Sequence, residues 1–507
     1  MLWFSIEKSI IYDLFLESLY KMDSRGGNLM KVLLVASEAY PFIKTGGLGY
    51  TTGFLPKALR KKNIDVRVVI PKYKNMDEDI KKKLKFVKWY TVKLGWRNQY
   101  CGVLKYEKDN VIYYVLDNEY YFDRESEYGY EDDAERFSFF NKATLNLIEQ
   151  VGWKPDIIHC NDWQTGMIPV MLKYEYAKKK NYKDIKTVFS FYNMMFKGVF
   201  SPDILPDLFE YDMELFNNGS LEFYGGLSFM KGGLNFADKI TTVSNTYADE
   251  VKTPQYGEKL DGLLREKEFN IRGVLNGLDY DEYDPKKDPD IYKVFDEENL
   301  IESKQLNKLQ LQKDLSLPVN KDIPMLGFVS KLNNQKGLEL IINIADRLLQ
   351  HNVQLVILGT GDKQYEEHFK GLQSRYKDKV STNIKYDKAL AHKIYASCDM
   401  FLKPSLLEPC GLGQLIALRY GAVPIGRETG GLKDTISPYN KYNGKGNGFS
   451  FCNFNANELL MIIEYALEVY QDKESWSSIV KQAIKSNYSW DKSADEYCKL
   501  YKEIIEA

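Results

Sequence analysis

Four stretches of this sequence carry the residue types from which a reaction centre could be built. Lys44-Thr45-Gly46-Gly47-Leu48-Gly49 follows directly on the apolar run KVLLVASEAYP. Glycines after a strand let backbone N–H groups approach an anion, and the helix start beyond them favours negative charge. Lys44 adds a mobile positive charge. The spacing G-x-x-x-x-G-K-[ST] is absent, so this is not a nucleotide-binding loop of that type. Ser330-Lys331-Leu332-Asn333-Asn334-Gln335-Lys336-Gly337 puts two lysines five apart in a loop at a strand end. That suits a diphosphate, although a solvated basic loop has the same composition. Glu408-Pro409-Cys410-Gly411-Leu412-Gly413-Gln414 sets a carboxylate before glycines that open a helix. The acid accepts from hydroxyl donors and the helix start binds phosphate, so a polyol and an anion could be held together. The fourth stretch, TVFSFYNMMFKGVF from Thr187 to Phe200, is a β-branched and aromatic run that stops at Tyr192-Asn193. A strand ending on polar residues often delivers them to a cleft.

These stretches need a scaffold that brings strand ends together. From Met30 onward the pattern alternates strand and helix: KVLLVASEAYP, VRVVIP, DNVIYYVLD, DIIHCND, KTVFSF and KITTVS are the strand candidates. Near Asn276 the rhythm restarts with IPMLGFVS, NVQLVILG, a segment ending at Tyr386, DMFLKPS and AVPIGR. This predicts an α/β protein of two doubly wound, Rossmann-like units facing one another across a cleft. Ligands of such sheets bind beyond the carboxyl ends of the strands. The charged segment 286–312 near the join reads as a linker plus a helix.

Composition narrows the chemistry. The 507 residues are too many for one core, and 44% hydrophobic with 28% charged is an ordinary globular balance. A formal charge of −2 provides no global field toward nucleic acid or acidic membrane. No apolar run reaches the length of a membrane span. The six cysteines form no C-x-x-C pair or zinc spacing. Scattered thiols predict a reducing, cytoplasmic setting. The four histidines, His159, His351, His368 and His392, exclude any mechanism built on several imidazoles acting together. Residues 1–29 are not a signal peptide, because Glu7, Asp13 and Glu17 interrupt their apolar stretch. Ile6, Ile10 and Leu14 have helical spacing, so the extension reads as a short amphipathic helix or as an over-long start before Met30.

KTGGLG, HCNDWQTG, EFYGGLSFMKGGL, VSNTYADEVKTPQYG, VLNGLD, SKLNNQKG, EPCGLGQLIALRYG and TGGLKDT occur in this order. Together they resemble the bacterial glycogen synthase and plant starch synthase family, from about Met30 to NYSWDKSADEYCKLY. The resemblance implies a GT-B fold: an acceptor-side domain over 30–275, a nucleotide-sugar domain over 276–475, and a C-terminal helix over 476–507 that crosses back to the first domain. It implies transfer of glucose from ADP-glucose to the non-reducing end of an α-1,4-glucan, with retention and without a metal or other cofactor. Residue by residue, Lys44, Gly46 and Gly47 match the donor loop, and Lys336 the lysine on the diphosphate. Glu408, Cys410, Gly411 and Leu412 match the stretch cradling glucose and phosphates, and Tyr386 falls where an aromatic meets the adenine. Asn276 matches a nucleotide-side polar position, and Asp162 the active-site aspartate. The backbone carbonyl at 192 is expected to face the anomeric carbon, with Asn193 beside it.

The departures from the family pattern cluster at this chemistry. Tyr50 stands where KTGGLG is usually followed by Asp. Asn161 and Gln164 replace histidines of H-x-H-D-W-H, and Tyr192 replaces the histidine of I-H-N. Lys331 replaces an arginine and keeps the charge without the bidentate fork. Leu406 replaces the arginine of S-R-F-E-P-C-G. Tyr50 and Tyr192 are expected on opposite walls of one pocket. Two other readings stay open: a catalytically weak synthase paralogue acting as a glucan-binding or regulatory partner, and a GT-B enzyme with another donor such as UDP-glucose. Assembly as a homo-oligomer, or as a hetero-oligomer with a synthase paralogue, is also open.

Overall fold

The computed structural model describes residues 29–506; the helical spacing at Ile6, Ile10 and Leu14 lies outside them. Two sheets organise these residues. The first has nine strands, in the order Ile271–Gly273, Lys239–Thr242, Lys186–Phe191, Ile157–Asn161, Lys31–Val35, Asp65–Pro71, Val111–Asp117, Arg97–Lys108 and Lys85–Leu94. The second has six, in the order Val380–Asn383, Gln354–Leu358, Met325–Val329, Met400–Lys403, Val423–Arg427 and Phe449–Phe451. The strand leading into each glycine- or lysine-bearing loop lies inside its sheet. Lys31–Val35 pairs in parallel with Asp65–Pro71 and Ile157–Asn161. Met325–Val329 pairs in parallel with Gln354–Leu358 and Met400–Lys403. Strands covered on both faces have no solvent side, so their residues read as unbroken apolar runs; Leu33, Leu34, Val35, Leu355, Val356 and Ile357 are all buried.

The hairpin Lys85–Leu94 with Arg97–Lys108 is antiparallel and extends the first sheet beyond the strands anticipated from sequence. Its outer strand alternates exposed and buried positions only in its second half, which weakens the period-2 signal. Gly95 at its turn has φ +57°, and a Cβ there would lie 1.8 Å from the Asp207 carbonyl oxygen. Glycine is therefore required. The charged segment before the second sheet contains the helix Leu300–Asp314.

The last helix, Trp490–Glu506, packs back on the first unit. Its Trp490, Tyr497, Leu500, Tyr501 and Ile504 belong to the same apolar cluster as Val32, Leu34 and Val35. Fully burying a side chain of this kind is worth about 1.5–3 kcal/mol. The Tyr501 hydroxyl also lies 2.7 Å from His159 Nδ1, while Ser190 Oγ lies 2.6 Å from Nε2. Burial pushes His159 down to about 3. Its imidazole is therefore neutral and holds the C-terminal helix.

Candidate active site

The carboxyl ends of both sheets open on one cavity of about 680 Å³. The first unit supplies Gly46 and Gly47 at the start of helix Gly47–Lys61, Asp162 just past strand Ile157–Asn161, and Tyr192 and Asn193 just past strand Lys186–Phe191. The second supplies Lys336, Glu408, Cys410 and Gly411, and Asn276 lines the wall between them. A neighbouring cavity of about 500 Å³ contains Ser330, Lys331, Tyr386, Lys388 and His392, and shares Thr45 with the first. Tyr386 is 87% exposed, so one face of its ring is free for a ligand to stack on. Thus Lys331 and Tyr386 stand in one cavity, and Lys336 and Glu408 in the other.

Glu408 is the electrostatic centre of the larger cavity. Lys336 Nζ lies 3.1 and 3.0 Å from its two carboxylate oxygens, Lys403 Nζ lies 2.8 Å from Oε2, and the Ser405 hydroxyl donates to Oε2 at 2.8 Å. Burial alone would raise this carboxyl. The ammonium groups of Lys336 and Lys403 outweigh it and hold Glu408 well below the usual carboxylate range. Gly411, three residues on, has φ +76°, and a Cβ would meet Gln414 Oε1 at 2.4 Å. The left-handed backbone and the close approach both require glycine.

Asp162 adopts φ +63° and ψ 176°, a conformation uncommon outside glycine and often associated with functional sites. Its Oδ1 accepts from the Trp163 N–H at 2.9 Å, so it caps the following turn and also lines the cavity. Burial raises its carboxyl to about 7, against the lowering effect of that N–H. Asn193 Oδ1 likewise accepts from Met195 N–H at 3.0 Å. Asn276 Nδ2 donates to Thr51 Oγ1 at 2.8 Å, and its buried Oδ1 has no protein partner.

Some residues sit otherwise than the sequence implied. Tyr50 is not on a pocket wall opposite Tyr192. It is 2% exposed, packs on Phe54 at 4.6 Å and Trp490 at 6.1 Å, and accepts from the Asp279 N–H at 3.0 Å. An aromatic ring here joins the first helix to the chain crossing between units. Lys44 is exposed and does not line the cavity; its amine rests 5.5 Å from the Tyr40 ring centre and 5.9 Å from that of Tyr50. The Leu412 side chain packs against both apolar cores instead of lining the cavity.

Tyr192 lines the cavity, but its hydroxyl donates to Asn161 Oδ1 at 2.8 Å. Asn161 Nδ2 in turn donates to the carbonyls of Val35 and His159 at 3.1 and 2.9 Å. The departures at 161 and 192 thus satisfy each other, and the phenol's proton is not free for a sugar hydroxyl. Tyr192→Phe is expected to keep turnover within about threefold while costing about 1–3 kcal/mol, the penalty for a buried acceptor left unpaired. Paired kinetic and thermal-melting measurements check this. A turnover loss beyond tenfold without a change in melting would place the hydroxyl on the substrate.

Two polar groups of the site were not singled out in the sequence. Glu38 accepts from Thr45 N–H at 2.6 Å, from Thr45 Oγ1 at 2.7 Å and from the Tyr128 hydroxyl at 2.7 Å. It ties down the glycine loop. It stands just past a strand end in KVLLVASEAYP, the same signal that marked Glu408. Lys403 was hidden inside the apolar run DMFLKPS. Among the described residues, metal-ligand types gather at Asp288, Asp290 and His392. Asp288 there already accepts from Tyr420 and lies 2.6 Å from His392 Nδ1.

Two Rossmann-like units with a cleft at their strand ends have the arrangement of the GT-B fold. Comparison with known proteins agrees. Residues 31–266 match the family model of the starch synthase catalytic domain, and residues 312–484 match glycosyl transferases group 1. The glycogen synthase of Clostridium botulinum (strain Alaska E43 / Type E3) is 62% identical over 476 residues, covering 94% of this chain and 99% of that protein. That of Clostridium perfringens (strain 13 / Type A) is 62% identical over 480 residues, covering 95% and 99%. The solved catalytic domain of Starch Synthase IV from Arabidopsis thaliana, bound to ADP and acarbose, superposes with a TM-score of 0.85 at 32% identity, covering 95% of this chain and 100% of that one. The chain belongs to the glycogen synthase and starch synthase family, and is a glucosyltransferase of the glycogen synthase type. The weak-paralogue and other-donor readings are not favoured by these relatives.

Proposed function

We propose that this chain transfers glucose from ADP-glucose to the non-reducing end of an α-1,4-glucan, with retention at the anomeric carbon, in the cytoplasm. The observation that carries the reading is the Glu408 carboxylate held by Lys336 at the mouth of a helix start, facing Asp162 and the Gly46-Gly47 turn across one cavity. An acid beside an ammonium group suits a ligand that is polyol at one end and anion at the other. The smaller cavity, with Tyr386 and Lys331, takes the nucleotide. The Arabidopsis relative, solved with ADP and acarbose bound, supports adenosine diphosphate as the leaving group. Among the described residues no helix is long and apolar enough to cross a membrane.

In this scheme the bond from the donor's anomeric carbon to the phosphate oxygen breaks as the glucan O4 bonds to that carbon from the same face. Lys336 offsets charge growing on the departing diphosphate, and the backbone carbonyl at 192 faces the oxocarbenium-like centre. The departing phosphate takes the acceptor proton, so no histidine base is needed. His159, the one histidine in a site motif, is neutral and committed to the C-terminal helix. Purified protein given glycogen with ADP-glucose or UDP-glucose tests the donor. Glucan growth at least tenfold faster with ADP-glucose is expected, about the discrimination that 1.4 kcal/mol supplies. Equal rates, or faster growth with UDP-glucose, would overturn the donor assignment.

A further inference from the structure

We infer that Lys403 is a positioning residue for glucosyl transfer: it keeps the Glu408 carboxylate fixed and paired when Lys336 moves to the donor's diphosphate. The inference rests on the reading above, in which Glu408 and Lys336 meet the donor. Two lysines converge on one carboxylate, but they are held differently. Lys403 is the last residue of strand Met400–Lys403, and its side chain is 5% exposed. It does not line the cavity. Lys336 sits on the loop after strand Met325–Val329, its side chain is 19% exposed, and it does line the cavity. One ammonium group is therefore anchored in the sheet and the other can reach a ligand.

The charge balance gives this division a purpose. One carboxylate facing two ammonium groups leaves an excess positive charge, which an incoming diphosphate can use. When Lys336 turns to the diphosphate, a Glu408 without Lys403 would face that anion with no counter-ion. It would then turn away or take up a proton, and in either case cease to accept from glucosyl hydroxyls. Lys403, with the Ser405 hydroxyl on the same Oε2, prevents both. Arg427, from the neighbouring strand, donates to the Ser405 and Leu406 carbonyls of the same loop and not to the carboxylate, while Tyr395 and Cys410 beside the cluster are both pushed up by burial and stay neutral. Glu408 thus depends on the two lysines for its charge.

The test compares Lys403→Met, Lys403→Arg, Glu408→Gln and the double variant Lys403→Met/Glu408→Gln, each measured for kcat and KM with ADP-glucose and glycogen from about pH 5 to 9. Lys403→Met is expected to lose about tenfold or more in kcat, with a smaller change in the KM for glycogen. Glu408 is held well below the usual carboxylate range, so the parent should show no limb from it in this interval, whereas Lys403→Met should lose further activity at the acid end, where a carboxylate that has lost a cation is protonated more easily. Lys403→Arg should recover most of the rate, and the double variant should be no slower than Glu408→Gln. An unchanged kcat and pH profile in Lys403→Met, with Glu408→Gln inactive, would overturn the inference and leave the donor-site reading standing. So would losses that add in the double variant, since Lys403 would then act through something other than Glu408. Native turnover in Glu408→Gln would instead sink the donor-site reading itself.

Discussion

Glu408→Gln is expected to cut turnover by about two orders of magnitude, the scale seen when one preorganised electrostatic group is removed from a transition state. The amide keeps the shape of the carboxylate and loses its charge. Lys336 and Lys403 would then face a neutral group at distances near 3 Å. The variant should also be less stable than a surface change would be. Breaking a buried ion pair by deleting one partner costs up to about 3–5 kcal/mol. The cost falls where the orphaned lysine sheds its proton, and burial already draws the Lys403 ammonium down. The double variant Lys403→Met/Glu408→Gln separates the two effects: melting temperature should recover while turnover does not. Full turnover in either variant would make Glu408 a structural cap. The pH dependence has a definite sign. Glu408 is held below its unfolded value, so the pair's contribution to stability is present above the ordinary glutamate range and is lost as pH falls through the lower folded value.

The central strands and the loops that bear the site, though not the order of strands in the sheets, were legible because parallel, doubly covered strands leave a strong local mark. Leu33, Leu34 and Val35, or Leu355, Val356 and Ile357, are apolar in succession, and the loop that follows each such strand was where the polar residues had to be sought. What the linear pattern does not carry is direction. Nothing local says that the Tyr192 hydroxyl finds Asn161, because the two lie on adjacent strand ends 31 residues apart in the chain. Tyr50 follows the cavity-lining Gly46, Gly47 and Leu48 closely in the chain, yet its hydroxyl turns to Asp279, 229 residues away. A charged residue at the end of an apolar strand, such as Lys403 in DMFLKPS, has the local look of a surface terminus. Its amine reaches Glu408, five residues ahead, only because the chain folds back at Pro404 and Ser405. Family motifs named Lys336 and Glu408 one by one, whereas their pairing is a property of the folded loops.

Asp162→Asn is expected to stabilise the protein at alkaline pH and to disable it. The carboxyl is buried, adopts φ +63°, and titrates at about 7. The raised value means that ionising Asp162 in the folded state is costly. Stability conferred by the neutral carboxyl is fully present below the unfolded value, near 3.8, and is lost as pH rises through about 7. An asparagine never carries the charge. Above pH 7 the variant should therefore gain stability on the order of 2–4 kcal/mol, from the free energy of displacing a carboxyl by this much. The gain should shrink as pH is lowered toward 4. The cap is kept, because an amide oxygen accepts from the Trp163 N–H as a carboxylate does. The lost element is the charge that faces the cavity from the first unit, opposite Lys336 and the donor's departing diphosphate. Turnover should fall by about tenfold or more, with the fold intact, and thermal melting at several pH values beside kcat decides the matter. A variant that gains no stability at pH 8 would show that Asp162 ionises easily in place. Unchanged turnover would assign the strained backbone at 162 to the turn alone, and the negative charge of the first unit would have to be sought at Glu38, which already holds the glycine loop.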